Sequence, residues 1–175
     1  MSTDFPVAHL RRMDRSLRRR EGLLLGLTAL LSACGVAPPQ ASPEWDVPGR
    51  LTPEQGQGVT MYALGLVGTP YRYGGNTPES GFDCSGLIGH VYQVQAGVAA
   101  PRTVAALQAW GRPISPSVLR AGDLVLFGNG GPPTHAGIFV GDARFVHAPS
   151  RGGTVRLDRL DAPHWARQQI SYRRP

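Results

Sequence analysis

The sequence predicts an α+β domain in which short helices precede an antiparallel sheet. Two observations carry this. Apolar residues recur at helical spacing only between positions 52 and 110. After position 123 the period changes to short strand-like runs separated by turn residues. Helices first and strands after define an α+β order rather than alternating βαβ units.

Each element has its own signal. Thr52-Pro53-Glu54-Gln55 reads as a helix start, with Thr at the N-cap, Pro at the first helical position and Gln two residues on. Gly68 and Pro70 end that helix, and "TPYRYGGNTPESG" (69–81) reads as a loop. A second helix starts at Cys84, capped by Asp83, with Leu87, Ile88, Val91 and Val94 on one face. "TVAALQAW" (103–110) is a third, short helical pattern closed by Gly111. Strands are expected at 123–127, 135–140, 144–148, 154–157 and 169–172. No internal repeat is present, and one domain over 51–175 accounts for the patterned residues.

The first 50 residues have a different character. An Arg-rich run, the apolar "LLLGLTALL" and the small residues of "SACG" have the layout of a secretory signal peptide over 1–33. The apolar run is shorter than the roughly 20 residues a membrane-spanning helix needs. Met13 offers an alternative start that gives a more usual signal length. Leu31-Ser32-Ala33-Cys34 resembles the lipobox of bacterial lipoproteins, which implies cleavage before Cys34 and lipidation of its thiol. The plainer reading is an ordinary cleavage site with an incidental Cys. Gly35 rather than Asp after the lipidated Cys implies, by the lipoprotein sorting pattern, a lipid-anchored protein of the outer membrane facing the periplasm. Residues 34–50, rich in Pro, read as an extended tether.

Charge and cysteine count narrow the function classes. All 18 basic residues are Arg. Six of them and three of the 12 acids precede Cys34, which leaves 12 Arg against 9 acids, a net of about +3, beyond it. No basic run with interleaved aromatics remains there, so nucleic acid is not an expected partner. With Cys34 lipidated, Cys84 has no internal partner, and a lone thiol in an exported protein is either an intermolecular link or a reactive group.

The start of a helix favours a thiolate and supplies backbone N–H donors for an oxyanion, so the position of Cys84 predicts a lowered thiol pKa and a nucleophile. The plainer reading is a buried, inert Cys, against which the polar flanks Asp83 and Ser85 argue. A base is then needed, usually His. His9 lies in the signal; His90 points to a different side of its helix from Cys84; His164 lies in a loop-like stretch. His135 and His147 sit on strands joined through "GDA" (141–143). A two-residue loop puts them on opposite faces. A three-residue loop sets Gly137 across from His147 and brings both rings to one face. A Cys–His–His zinc site with an open fourth position is chemically conceivable, but no C-x-x-C or H-x-x-x-H pair supports it. No metal and no cofactor is expected. "GNGG" (128–131) lacks the lysine and following helix of a phosphate loop and reads as a plain loop.

"TPYRYGG", "GFDCSGLIGHVYQ", "PRTVAALQAWG", "AGDLVLFGN" and "THAGIFVGDARFVHA", in this order, resemble the NlpC family of cell-wall cysteine peptidases. The resemblance covers roughly residues 55–160. It implies a minimal papain-like fold, a Cys helix packed on an antiparallel sheet. It also implies hydrolysis of peptidoglycan stem-peptide bonds such as D-γ-glutamyl-diamino acid, through an acyl-enzyme. On the matching positions it makes Cys84 the nucleophile, His135 the general base and His147 the residue that orients the base. Tyr71, Asp83 and Ser85 would line the substrate and oxyanion side. Val104 departs from the family pattern, where a Ser that touches substrate is common, and Gln108 is displaced by one position. Stem peptides, the membrane through Cys34 and an unidentified regulator are the expected partners. The alternatives are a non-catalytic wall-binding lipoprotein and an amidase or acyltransferase of the same superfamily.

Overall fold

In the computed structural model, residues 51–150 and 153–175 are described. The signal, Cys34 and the whole of the tether (34–50) lie outside them. Helix α1 spans Pro53–Gly65 and opens as its sequence demands. The Thr52 hydroxyl accepts from the Gln55 N–H, and the Gln55 side chain accepts from the Thr52 N–H. This reciprocal capping box satisfies two of the N–H groups that every helix start leaves without partners.

The segment 69–81 is more ordered than a plain loop. It ends in a two-stranded ribbon, β1 (Asn76–Thr77) against β2 (Gly81–Phe82). Helix α2 (Cys84–Ala96) follows at once, so β2 delivers the chain directly to the thiol. Asp83 caps α2, its carboxylate accepting from the Gly86 N–H at 2.6 Å. Gly97 closes the helix in the left-handed conformation. Leu87, Ile88 and Val91 are buried as their spacing predicts, whereas Val94 is 51% exposed. At 100° per residue Val94 has drifted past the edge of the buried stripe. Helix α3 is a single turn, Val104–Leu107, capped by the Thr103 hydroxyl.

The six-stranded sheet has the order β3-β8-β4-β5-β6-β7, antiparallel at every pairing. Its strands are β3 (Arg112–Ile114), β4 (Leu124–Gly128), β5 (His135–Gly141), β6 (Arg144–His147), β7 (Arg156–Arg159) and β8 (Gln169–Arg174). A one-turn helix α4 (Pro163–Ala166) precedes β8. Strand β3 was not foreseen: it is three residues long and contains a Pro, a composition that only a sheet edge tolerates. Strand β7 begins two residues later than its apolar run suggests.

Two apolar layers hold the sheet. On one face Val59, Ala63, Leu87, Ile88, Val91 and Tyr92 of the helices pack on Leu124, Leu126, Ala136, Ile138 and Val146. On the other, Phe127, Phe139, Phe145 and Trp165 form a separate cluster with Val125. Each fully buried side chain of this size contributes about 1.5–3 kcal/mol relative to exposure. The C-terminal strand is tied down by a buried ion pair. Arg174 donates from Nε and Nη2 to the two oxygens of Asp123, at 2.8 and 2.7 Å. The Leu51 N–H donates to the Pro175 carbonyl oxygen at 3.3 Å, which closes the domain on itself. Among the described residues no helix is long and apolar enough to cross a membrane.

Candidate active site

The hairpin β5–β6 decides whether the two histidines meet. Its turn is Asp142–Ala143, both residues with positive φ, closed by a Gly141–Arg144 pair. The register then shifts between Phe139 and Gly141, so Phe139 pairs with Phe145 and Ile138 with Val146. A two-residue turn plus a bulge thus gives the register expected of a three-residue loop. Gly137 backs onto His147: a Cβ there would stand 3.2 Å from the His147 Cβ and 2.6 Å from the Phe145 ring. The glycine leaves room for the imidazole.

His135 Nε2 and His147 Nδ1 lie 2.8 Å apart. The rings meet nearly edge to face, with centroids 5.0 Å apart. Trp165 stacks on His135 at 5.4 Å and stands edge-on to His147 at 5.1 Å. Phe127 flanks His135 and Phe145 flanks His147. This aromatic enclosure makes charging either ring costly. Desolvation, reinforced for His135 by the neighbouring His147, holds His135 down at about 3 and His147 at about 4.

Cys84 is the first residue of α2 and is partly buried. Its thiol is raised above its ordinary pKa, first by burial and then by the Asp83 carboxylate. The N–H groups of Ser85, Ala136 and Cys84 itself pull the other way and do not prevail. The expectation of a lowered thiol pKa is therefore corrected. The helix start acts on Cys84, but burial and the capping carboxylate oppose charge and prevail. The Ala136 N–H at the thiol also fixes the geometry, because it sets the sulfur beside the backbone of His135.

Tyr71 pairs with Phe82 and donates its N–H to the Gly153 carbonyl at 2.7 Å. Its hydroxyl is raised by burial and by Cys84, which places it near the thiol. Asp83 is occupied: its carboxylate accepts from Gly74 N–H, Gly86 N–H and the Ser85 hydroxyl, with Arg102 3.6 Å away. Ser85 is 5% exposed, and its hydroxyl lies between Asp83 and the Arg102 carbonyl. Asp83 is thus engaged as the cap of α2, and Ser85 is nearly buried beside it. Val104, at the position of the common family Ser, packs against the core.

His90 bonds Tyr62 through Nε2 at 3.0 Å and stands apart from Cys84. His164 is exposed, yet it lines the cleft beside His135 with Trp165, Gln168, Arg156 and Thr134. That cleft has a volume of about 660 Å³. One residue escaped the sequence reading altogether. Asp158 Oδ2 lies 3.0 Å from His147 Nε2, off the straight N–H direction. The same oxygen accepts from Trp165 Nε1 at 2.9 Å and from Arg156 Nε and Nη2 at 3.2 and 2.9 Å. Among the described residues no group of three or more His, Cys, Asp and Glu is placed to hold a metal ion.

A Cys at the start of a helix, packed against a histidine-bearing antiparallel sheet, is the arrangement of the papain-like α+β class. Within that class the chain belongs to the NlpC/P60 family, whose model matches residues 68–174. It is 37% identical over 112 residues to the murein DD-endopeptidase MepH of Escherichia coli K12, covering 62% of this chain and 41% of that protein. It is 38% identical over 118 residues to the γ-DL-glutamyl hydrolase of Bacillus subtilis 168, covering 66% and 28%. The chain thus spans less than half the length of these two relatives. The structure resembles the NlpC/P60 domain of the peptidoglycan hydrolase SagA, with a TM-score of 0.59 and 32% identity over 66% of this chain and 96% of that one. It also resembles a lipoprotein-like NLP/P60 protein of Staphylococcus aureus Mu50, with a TM-score of 0.63 and 33% identity over 74% and 44%.

Proposed function

We propose that the protein is a cysteine peptidase that hydrolyses a stem-peptide bond of peptidoglycan, D-γ-glutamyl-diamino acid being the preferred candidate. The observation that carries this is the 2.8 Å contact between the His135 and His147 rings, with the Cys84 thiol at the N–H of Ala136, the residue next to His135. The names of the relatives, a murein endopeptidase and a γ-glutamyl hydrolase, support the substrate class.

The raised thiol and lowered imidazoles make the resting pair neutral. His135 therefore acts as a general base during attack rather than as half of a preformed ion pair. The Cys84 proton passes to His135 as sulfur bonds to the scissile carbonyl carbon. The oxyanion is held by N–H groups at the α2 start, with the Tyr71 hydroxyl beside it. His135 then returns the proton to the leaving amine, the C–N bond breaks, and a thioester remains on Cys84. Water, deprotonated by His135, releases the acid and regenerates the thiol.

Purified protein acting on sacculi and on soluble tetrapeptides tests this. New amino termini on the diamino acid are expected with wild type and none with Cys84→Ala. Equal release by Cys84→Ala removes the cysteine mechanism. Release by neither protein favours the wall-binding alternative, and products cut at another bond reassign the substrate. We also infer that Cys34 carries a lipid anchor to the outer membrane, on the lipobox and the Pro-rich segment that follows it. The mature protein then partitions into the detergent phase, and recovery in the aqueous phase would refute the anchor.

A further inference from the structure

We propose that Asp158 is a positioning residue that sets the direction of the imidazole chain, so that the free lone pair of His135 faces Cys84. The inference rests on the reading of Cys84 as nucleophile and His135 as base. An ionised carboxylate only accepts hydrogen bonds, and a neutral imidazole has one N–H and one bare nitrogen. His147 is fully buried, and no described group is hydrogen-bonded to its Nε2. The Asp158 carboxylate oxygen lies 3.0 Å from that nitrogen, and its charge draws the proton there. His147 Nδ1 is then bare and accepts from His135 Nε2–H across 2.8 Å. His135 Nδ1 is left bare. This is the ring nitrogen nearer the backbone, and the Cys84 thiol sits at the neighbouring Ala136 N–H. Reversing the chain would put a proton on His135 Nδ1 and block the base. With no carboxylate the two directions are nearly equivalent.

The plainer account makes Asp158 half of an ordinary Arg156–Asp158 pair, of the partly exposed kind that contributes little. The geometry exceeds that. Arg156 and the buried Trp165 indole converge on the same oxygen that faces His147, and they hold it from outside. Register explains why. Arg156 pairs with His147 and Asp158 with Phe145, so Asp158 sits diagonal to His147 on one face of the sheet. The other charged or titratable group near the two rings is His164, on the cleft side.

Protein labelled with 15N-histidine reads the tautomers directly at neutral pH. The expected spectrum has both His135 and His147 neutral, with the proton on Nε2. A proton on Nδ1 of either ring overturns the proposal, and this wild-type result decides even if a variant fails to fold. In Asp158→Ala both rings are expected to lose that preference, and iodoacetamide alkylation of Cys84 is expected to slow about tenfold or more. Wild-type tautomers and an unchanged alkylation rate in Asp158→Ala would reduce Asp158 to packing. Neither measurement uses peptidoglycan, so a wrong substrate assignment leaves this result standing.

Discussion

Cys84 shows how opposing effects on one atom are decided by burial. The helix start and three backbone N–H groups favour its thiolate; burial and the Asp83 carboxylate oppose it, and they win. A resting thiol beside a neutral imidazole has a recognisable pH signature. Alkylation of Cys84 at neutral pH is expected to run slowly, through proton transfer to neutral His135, and to climb steeply above the ordinary thiol range as free thiolate forms. A rate between about pH 5 and 7 already as high as that above the thiol range would mean a preformed thiolate–imidazolium pair instead. The acid limb of kcat/KM should follow His135, near 3, and not the usual histidine range. The placement of Cys84 at a helix start and of His135 and His147 on one face of a hairpin was legible in the sequence, because local caps and strand period fix it. The sign of the thiol shift was not legible, because it depends on how far the folded domain buries the thiol, which no local pattern encodes.

The hairpin β5–β6 buries two rings in an uncharged state, and that has a cost in acid. The unfolded chain takes up a proton on each ring below about pH 6.5, while the folded hairpin refuses it until about 3 or 4. A depressed folded pKa means that stability is complete above the unfolded value and is lost as pH falls towards the folded one. At pH 5 each ring contributes about 2 kcal/mol of this loss, roughly 4 for the pair, relative to pH 7.5. Urea midpoints at the two pH values measure it. Equal midpoints would show that the rings titrate normally. The elements themselves were read with uneven success for physical reasons. Helices α1 and α2 have caps and stripes, and β4, β5 and β6 have apolar runs. Strand β3 and the ribbon β1–β2 are too short to show a period. Asp158 lay just past the apolar run taken as a strand, and its link to His147 exists only through β6–β7 pairing. Trp165 reaches the rings from a one-turn helix with no pattern of its own.

Across the whole molecule, the Arg174–Asp123 pair fastens the last strand to the start of β4 in the interior. Both side chains are nearly excluded from water, Arg174 at 9% and Asp123 at 3% exposure. Removing one partner leaves a buried charge uncompensated, so Arg174→Ala is expected to cost about 3–5 kcal/mol of unfolding free energy. Replacing Asp123 as well should return part of that loss, since the orphaned carboxylate goes with it. A single-variant loss below about 1 kcal/mol would instead place the pair with ordinary surface bridges. The candidate site draws on α2, β5, β6, β7 and α4, so catalysis is expected to fall with global unfolding rather than ahead of it.

The hydrogen bond between Leu51 and Pro175 makes the domain a ring that lacks one covalent link. A short Gly-Ser bridge between those residues, with the backbone reopened at exposed Ala99, would give a circular permutant with the same sheet order and the same site. The point at which residues 1–50 join the domain is therefore a free parameter. For the lipid anchor proposed at Cys34, moving that junction would change the reach of the thiol from the membrane, with no change to any residue that touches Cys84.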